Sequence, residues 1–225
     1  MDNNPGNDYS LHDDNIHITL TNFAIKPDRN RIFRLIDCSP ESPVYDMVEE
    51  EYEDIIQEVY SRIQSVAILQ LSSLDNRITV EEESREATAF YVFMTIGMEV
   101  SKLSTQYFEE SNYLAGMLAN AIADDCLSQL DNEVGERIAA LCRQRHIGVA
   151  RRLEVPSDIP MEAQKIILEV TGADRELGMG VTEGYMFTAV KSNCFILIIS
   201  KDEDIIKVKH DCRNCTQESC RMRSC

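Results

Sequence analysis

An α+β fold, with an antiparallel or mixed β-sheet packed against long helices, is predicted by three observations. Two β-branched, apolar runs, "SVAILQL" and "ATAFYVFMTI", read as buried strands. Apolar residues at helical spacing continue from Tyr113 to about Cys142, too long for a connector. Strands and helices are mixed without the regular βαβ alternation of a doubly wound sheet.

Residues 1–15 are polar, rich in Asn and Asp and without periodicity, and are expected to form a flexible tail. Order is expected from Ile16, where "IHITL" alternates like a strand with one buried face. "DRNRIFRLI" gives a short helix that "DCSPESP" ends. Ser42 as N-cap and Pro43 in the first turn start the next helix. Its apolar stripe is Val44, Met47, Val48, Tyr52, Ile55, Ile56, Val59, Tyr60 and Ile63, and its Glu residues fall mostly on the solvated side. Between the two strand runs, "DNRITVEEESRE" is expected to hold a turn and an edge strand. Gly97 ends the second run, and helix resumes near Met98.

The long helix carries Leu114, Leu118, Ile122, Cys126, Leu130, Val134, Ile138 and Leu141 four apart, with a kink or split expected near Gly135. A loop "RRLEVPSDIP", a short helix "MEAQKIILEV", a turn around "TGADRELGMG" and a β segment from Val181 to Ser200 follow. A globular domain over residues 16–210 and a cysteine-rich tail over 211–225 are expected.

Composition narrows the function. With 225 residues and 44% hydrophobic content, the chain can bury an ordinary core. Its 39 acidic and 22 basic residues give a formal charge of -17, which argues against a nucleic-acid or anionic-membrane surface. No apolar run is long enough to span a bilayer and the first residues lack the signature of a secretory leader, so a cytoplasmic location is expected. In a reducing compartment, clustered thiols serve more often as metal ligands or redox groups than as structural disulfides. Cys38, Cys126, Cys142 and Cys194 read as buried, inert thiols.

No phosphate-binding loop, GxGxxG, GxSxG or HExxH is present, and His12, His17, His146 and His210 are scattered. The chemistry therefore concentrates in an Arg-containing loop, the segment "VTEGYMFTAVKS" and the tail. In the tail, Cys212, Cys215, Cys220 and Cys225 follow a C-x2-C-x4-C-x4-C spacing, with His210 just before. Such thiolates can cage zinc or hold an iron–sulfur cluster; a mobile thiol tail and a redox pair at Cys212 and Cys215 are the other readings.

These stretches resemble the reactivation domain of cobalamin-dependent methionine synthase. In that family a ligand loop runs from an Arg through Pro-Gly-Tyr to a helix-opening Pro. Without gaps, Arg151 matches the Arg, Pro160 the Pro, and Asp158 agrees with bacterial versions, whereas Val155 and Pro156 stand in place of the Gly-Tyr pair. Thr182, Glu183, Tyr185, Lys191 and Ser192 match the family's closing strand in register, and "TIG" at Thr95–Gly97 follows the family's order. The resemblance covers Ile16 to Arg221.

It implies an activation-domain fold that binds S-adenosylmethionine, with Arg151, Asp158, Thr182, Glu183, Tyr185 and Lys191 as cofactor-binding residues. Arg151 would pair its planar fork with the ligand carboxylate. The implied activity is reductive methylation, in which inactive Co(II) of a cobalamin is reduced and trapped by methyl transfer. No Asp-x-His-x-x-Gly cobalamin signature is present, so the resemblance implies a stand-alone subunit. Its partners would be a cobalamin-carrying methyltransferase and an electron donor of the flavodoxin or ferredoxin type. An iron–sulfur or metal-binding electron-transfer adaptor for a corrinoid protein, and a non-catalytic interaction subunit, are the alternatives.

Overall fold

The computed structural model describes residues 16–80, 87–213, 215 and 220–223. The chain runs β1 (His17–Leu20), α1 (Arg29–Leu35), α2 (Tyr45–Ser61), β2 (Val66–Ser73), β3 (Thr88–Thr95), α3 (Glu99–Glu109), α4 (Tyr113–Gln144), β4 (Gly148–Glu154), α5 (Ala163–Thr171), α6 (Ala173–Glu176) and β5 (Ser192–Ser200). The strands form one antiparallel sheet in the order β1-β2-β3-β5-β4, which leaves β1 and β4 at the edges. The predicted α+β class is the observed one.

The central strands are apolar throughout because both faces of the sheet are covered. Along β3, Phe90, Val92 and Met94 face a core shared with α1 to α4. Their neighbours Ala89, Tyr91 and Phe93 face a second core closed by α5 and by Phe187. Phe93 and Phe187 meet edge to face at 5.3 Å.

Helix starts and one helix interior depart from expectation. The N-cap of α2 is Val44, without a side-chain cap; Ser42 instead accepts a backbone bond from Tyr45 N in the preceding turn. Helix α4 is continuous over 32 residues, with no split at Gly135. A Cβ there would make only ordinary contact, 3.8 Å from a Val208 methyl, so the glycine neither breaks the helix nor is required by close packing.

Two strand assignments also change. The segment expected as a loop from Arg151 is β4 up to Glu154, an edge strand whose charged side chains hide it from a hydrophobic pattern. The expected long β segment is strand only over Ser192–Ser200; residues 181–191 form a turn closed by one bridge, Val181 to Phe187. In "DNRITVEEESRE" the turn exists, with Asp75 Oδ1 accepting from Arg77 N at 2.9 Å, while the expected edge strand extends into residues 81–86, outside the described residues. Residues 1–15, with His12, also lie outside them. Among the described residues no helix is long and apolar enough to cross a membrane.

Inside the helical layer, Asp125 is completely buried on α4 and receives three donors. These are Arg31 Nε, Asp28 N at 2.9 Å and Gln129 Nε2 at 2.7 Å, so one carboxylate fixes the start of α1 to the middle of α4. Asp125→Ala would strand a guanidinium and a backbone donor, and its expected cost is about 3–5 kcal/mol in chemical denaturation.

Burial pushes the thiols of Cys126 and Cys194 up to about 12 and that of Cys142 up to about 11, from an ordinary value of 9.0. Above the ordinary value the unfolded chain releases these protons first, so the native state binds more protons and stability falls as pH rises. The contribution is complete below about pH 9 and lost as pH rises through the native values. Denaturation midpoints across this window should fall, and Cys194→Ala should flatten the fall.

Candidate functional site

At the β4 edge, a one-residue irregularity decides which arginine does what. The pairing of β4 with β5 shifts between Val149 and Arg151, leaving Ala150 as the extra residue. Val149 therefore faces the helical layer, while Arg151 and Leu153, opposite Ile198 and Ile196, face the α5 side. Arg152 returns to the helical side.

There Arg152 is nearly enclosed, its side chain 6% exposed. It grips Asp131 of α4 through two bonds of 3.0 and 2.8 Å, stacks 3.7 Å over the Phe195 ring, and donates to Val208 O at 3.0 Å. Its Nε lies 2.7 Å from Glu154 Oε1, an ion pair too bent to be a hydrogen bond. Sequence reading missed this residue; two adjacent arginines carry no signal until the irregularity sets their faces.

The second wall of the site comes from the chain after β5. Ile205–Lys207 lies along the start of β4, with Val149 N donating to Ile205 O at 2.6 Å and Lys207 N to Val149 O at 3.0 Å. This approach requires Gly148, since a Cβ there would fall 1.8 Å from Asp202 O. Beyond Lys207 the chain leaves β4, and the gap becomes an open groove of about 870 Å³. That size falls within the range of small-molecule sites, about 300–1,000 Å³.

The groove is rich in cations for so acidic a chain: Arg143, Arg151, Arg152, Lys207 and Lys209 line it beside His210, interleaved with Glu136, Glu154, Asp158 and Asp211. Several are committed to pairs. Lys209 Nζ is 2.5 Å from Glu136, and His210 Nδ1 2.5 Å from Glu154. Arg151, 40% exposed, reaches Asp158 only at 3.5 Å, a contact loose enough to be exchanged for a ligand. Asp158 in turn accepts Glu154 N at 2.9 Å and so closes the loop that follows β4. Arg151 and Asp158 are thus brought together in one groove.

The other expected ligand residues are not gathered there. Thr182 organises the exposed turn, its Oγ1 accepting from Met186 N at 3.2 Å and its carbonyl from Tyr185 N at 2.9 Å. Glu183 is exposed and Tyr185 half-buried on that turn. Lys191 is buried and pairs with Asp124 of α4 at 2.5 Å. Its neighbour Ser192 donates to Thr95 Oγ1 at 2.9 Å, and the same Oγ1 accepts from Gly97 N at 3.0 Å. The "TIG" and "KS" motifs therefore meet, and what they build is a sheet end.

In the tail, Cys215 lines the groove and Cys212 and Cys220 are half-buried. Among the described residues no three His, Cys, Asp or Glu side chains gather as a metal set; Cys225 lies outside the described residues.

No family model matches the chain, and no curated protein matches it. Among solved structures, the crystal structure of the MetH reactivation domain bound to AdoHcy aligns with a TM-score of 0.58, over 88% of this chain and 82% of that one, at 11% identity. This chain has the fold of the MetH reactivation domain. The helices and antiparallel sheet described above are that architecture, while the mixed-charge groove is described from this chain's own residues.

Lys191 separates fold from site within the MetH reactivation domain fold. Lys191→Ala removes a charged partner from Asp124 and should cost about 1.5–3 kcal/mol in denaturation. It should leave the β4 groove intact, so that any compound found by calorimetry to bind there binds the folded variant as it binds the unmodified chain.

Proposed function

We propose that this chain binds S-adenosylmethionine in the β4-edge groove and serves as the activation unit of a cobalamin-dependent methyltransferase. The likeness of fold to a domain solved with AdoHcy supports the reading. The single observation that carries it within this chain is the loosely held Arg151 beside Asp158 in a groove of sufficient size.

The donor set suits the ligand. S-adenosylmethionine joins a carboxylate, an ammonium and a sulfonium in one molecule, and the groove alternates cations with carboxylates. Arg151 would exchange its long contact to Asp158 for a two-point pairing with the ligand carboxylate. Asp158, released from Arg151, would keep its bond to Glu154 N and turn its other oxygen to the ligand ammonium. Arg152 cannot take this role, because its guanidinium is occupied by Asp131, Glu154 and Val208.

When bound, the ligand supplies an electrophilic methyl group for a reduced corrinoid cobalt on a partner. This chain's own contribution is to hold the donor in one orientation against that partner, so catalysis rests on positioning. The 225 residues contain no Asp-x-His-x-x-Gly, consistent with a corrinoid carried elsewhere and reduced by a flavodoxin- or ferredoxin-type donor.

Anaerobic titration calorimetry with S-adenosylmethionine and AdoHcy tests the reading. Saturable binding is expected, with affinity about 10–100-fold weaker in Arg151→Ala, the loss that a charged hydrogen-bond pair implies. Arg151→Lys should recover only part of it, because an ammonium lacks the planar fork. Failure of the unmodified chain to bind either compound would overturn the proposal.

A further inference from the structure

The cysteines fall into two chemical classes. Cys126, Cys142 and Cys194 lie in the core with thiols pushed far above the ordinary range by burial, which leaves them protonated and inert. Cys212, Cys215 and Cys220 are half-buried at the surface, and Cys215 stands on the groove wall with Arg143, Arg151 and Lys207.

Arginine contacts fasten the described residues of this tail. Arg223 Nη2 donates to Cys215 O at 2.9 Å. Arg221 donates to Leu35 O at 2.7 Å and to Asp37 Oδ2 at 2.5 Å, which fastens the tail to the end of α1. Arg213 N donates to Asp211 Oδ1 at 3.0 Å, which places Cys212 in a turn over residues 211–213, and Cys215 follows three positions after Cys212 in the chain. Residues three apart in sequence can reach the Cα separation a disulfide needs, about 4.4–6.8 Å.

We propose that Cys212 and Cys215 form a reversible dithiol–disulfide couple on the groove wall, oxidised by an anionic low-molecular-weight disulfide such as oxidised glutathione. One tail thiolate attacks a sulfur of the small disulfide; a mixed S–S bond forms, and the other half leaves as a thiolate that takes up a proton. The second tail thiolate then displaces the remaining half. In sum, the protein thiols lose two electrons and two protons, and the small disulfide becomes two thiols. The groove cations attract the anionic oxidant. Since Cys215 belongs to the groove wall, the couple also links ligand affinity to redox state, and only this consequence rests on the proposed S-adenosylmethionine site.

The test treats the reduced 225-residue chain with oxidised glutathione and maps cysteines by peptide mass spectrometry. The expected product is a tail two hydrogens lighter with Cys212 joined to Cys215, and unmodified Cys126, Cys142 and Cys194. In Cys212→Ser and in Cys215→Ser the second displacement is blocked, so the remaining partner should retain one glutathione. An unreactive tail would overturn the proposal, as would a disulfide that uses Cys220 or Cys225 instead. So would a tail that reacts only after a chelator strips zinc or iron, which would make it a metal site. Titrating both redox states with S-adenosylmethionine separates the two readings. If neither state binds, the ligand site fails while the couple stands on its masses; equal binding by both sinks the link between them.

Discussion

The geometry of the candidate site depends on the enclosed Arg152 guanidinium. A cation with 6% of its side chain exposed is tolerable only if carboxylates and a carbonyl replace its water. Asp131, Glu154 and Val208 O do so, drawn from α4, β4 and the returning chain. Desolvation offsets much of the Coulomb attraction, so the cluster contributes more to fixing those three segments relative to one another than to net stability. Arg152, Glu154 and Val208 of this cluster line the groove. Its walls can therefore diverge without collapsing, because each is tied to the same planar group.

Gly148 and the extra residue Ala150 are the backbone conditions for that arrangement. Without a bare Cα at 148, the chain after β5 could not lie against β4. Without the shift in register, Arg151 and Arg152 would exchange faces, and the loosely paired guanidinium would be lost to α4. Two small residues thus separate a structural arginine from an available one. In a chain of net charge -17, that availability matters, because the surrounding field opposes an anionic ligand and only local cations can hold one.

Much of the fold was legible in sequence, because periodicity reports burial. β2 and β3 read correctly as apolar runs since both of their faces are covered, and α4 read correctly because its stripe persists for many turns. β4 was not legible. As an edge strand it turns Arg151, Arg152 and Glu154 toward charged partners, and those residues suppress the alternating pattern. The segment 181–191 failed in the opposite sense. Its alternating Val181, Tyr185, Phe187 and Ala189 imitate a strand, whereas Phe187 and Ala189 are buried as anchors of a turn. Of the candidate site, Arg151 and Asp158 were legible through a resemblance, and the returning chain that completes the groove was not, since its contact with β4 is a long-range backbone pairing.

The residues that best match the reactivation family divide along the same line. Thr95, Gly97, Lys191 and Ser192 agree in register and meet in space, yet their polar atoms are spent on one another, on backbone and on Asp124. The Ser192 and Thr95 side-chain bonds span the β3–β5 pair, Gly97 N closes the turn after β3, and Lys191 joins the pair to α4, so these positions hold the sheet end in shape. A likeness detected through such residues transmits architecture, in agreement with a structural match at 11% identity. Ligand chemistry depends on side chains that fold does not constrain, and the function proposed for this chain places those on β4 and on the loop that follows it. There Val155 and Pro156 stand where the resembling family has Gly-Tyr, and the Glu154–Asp158 closure shapes the loop beside the loosely paired Arg151.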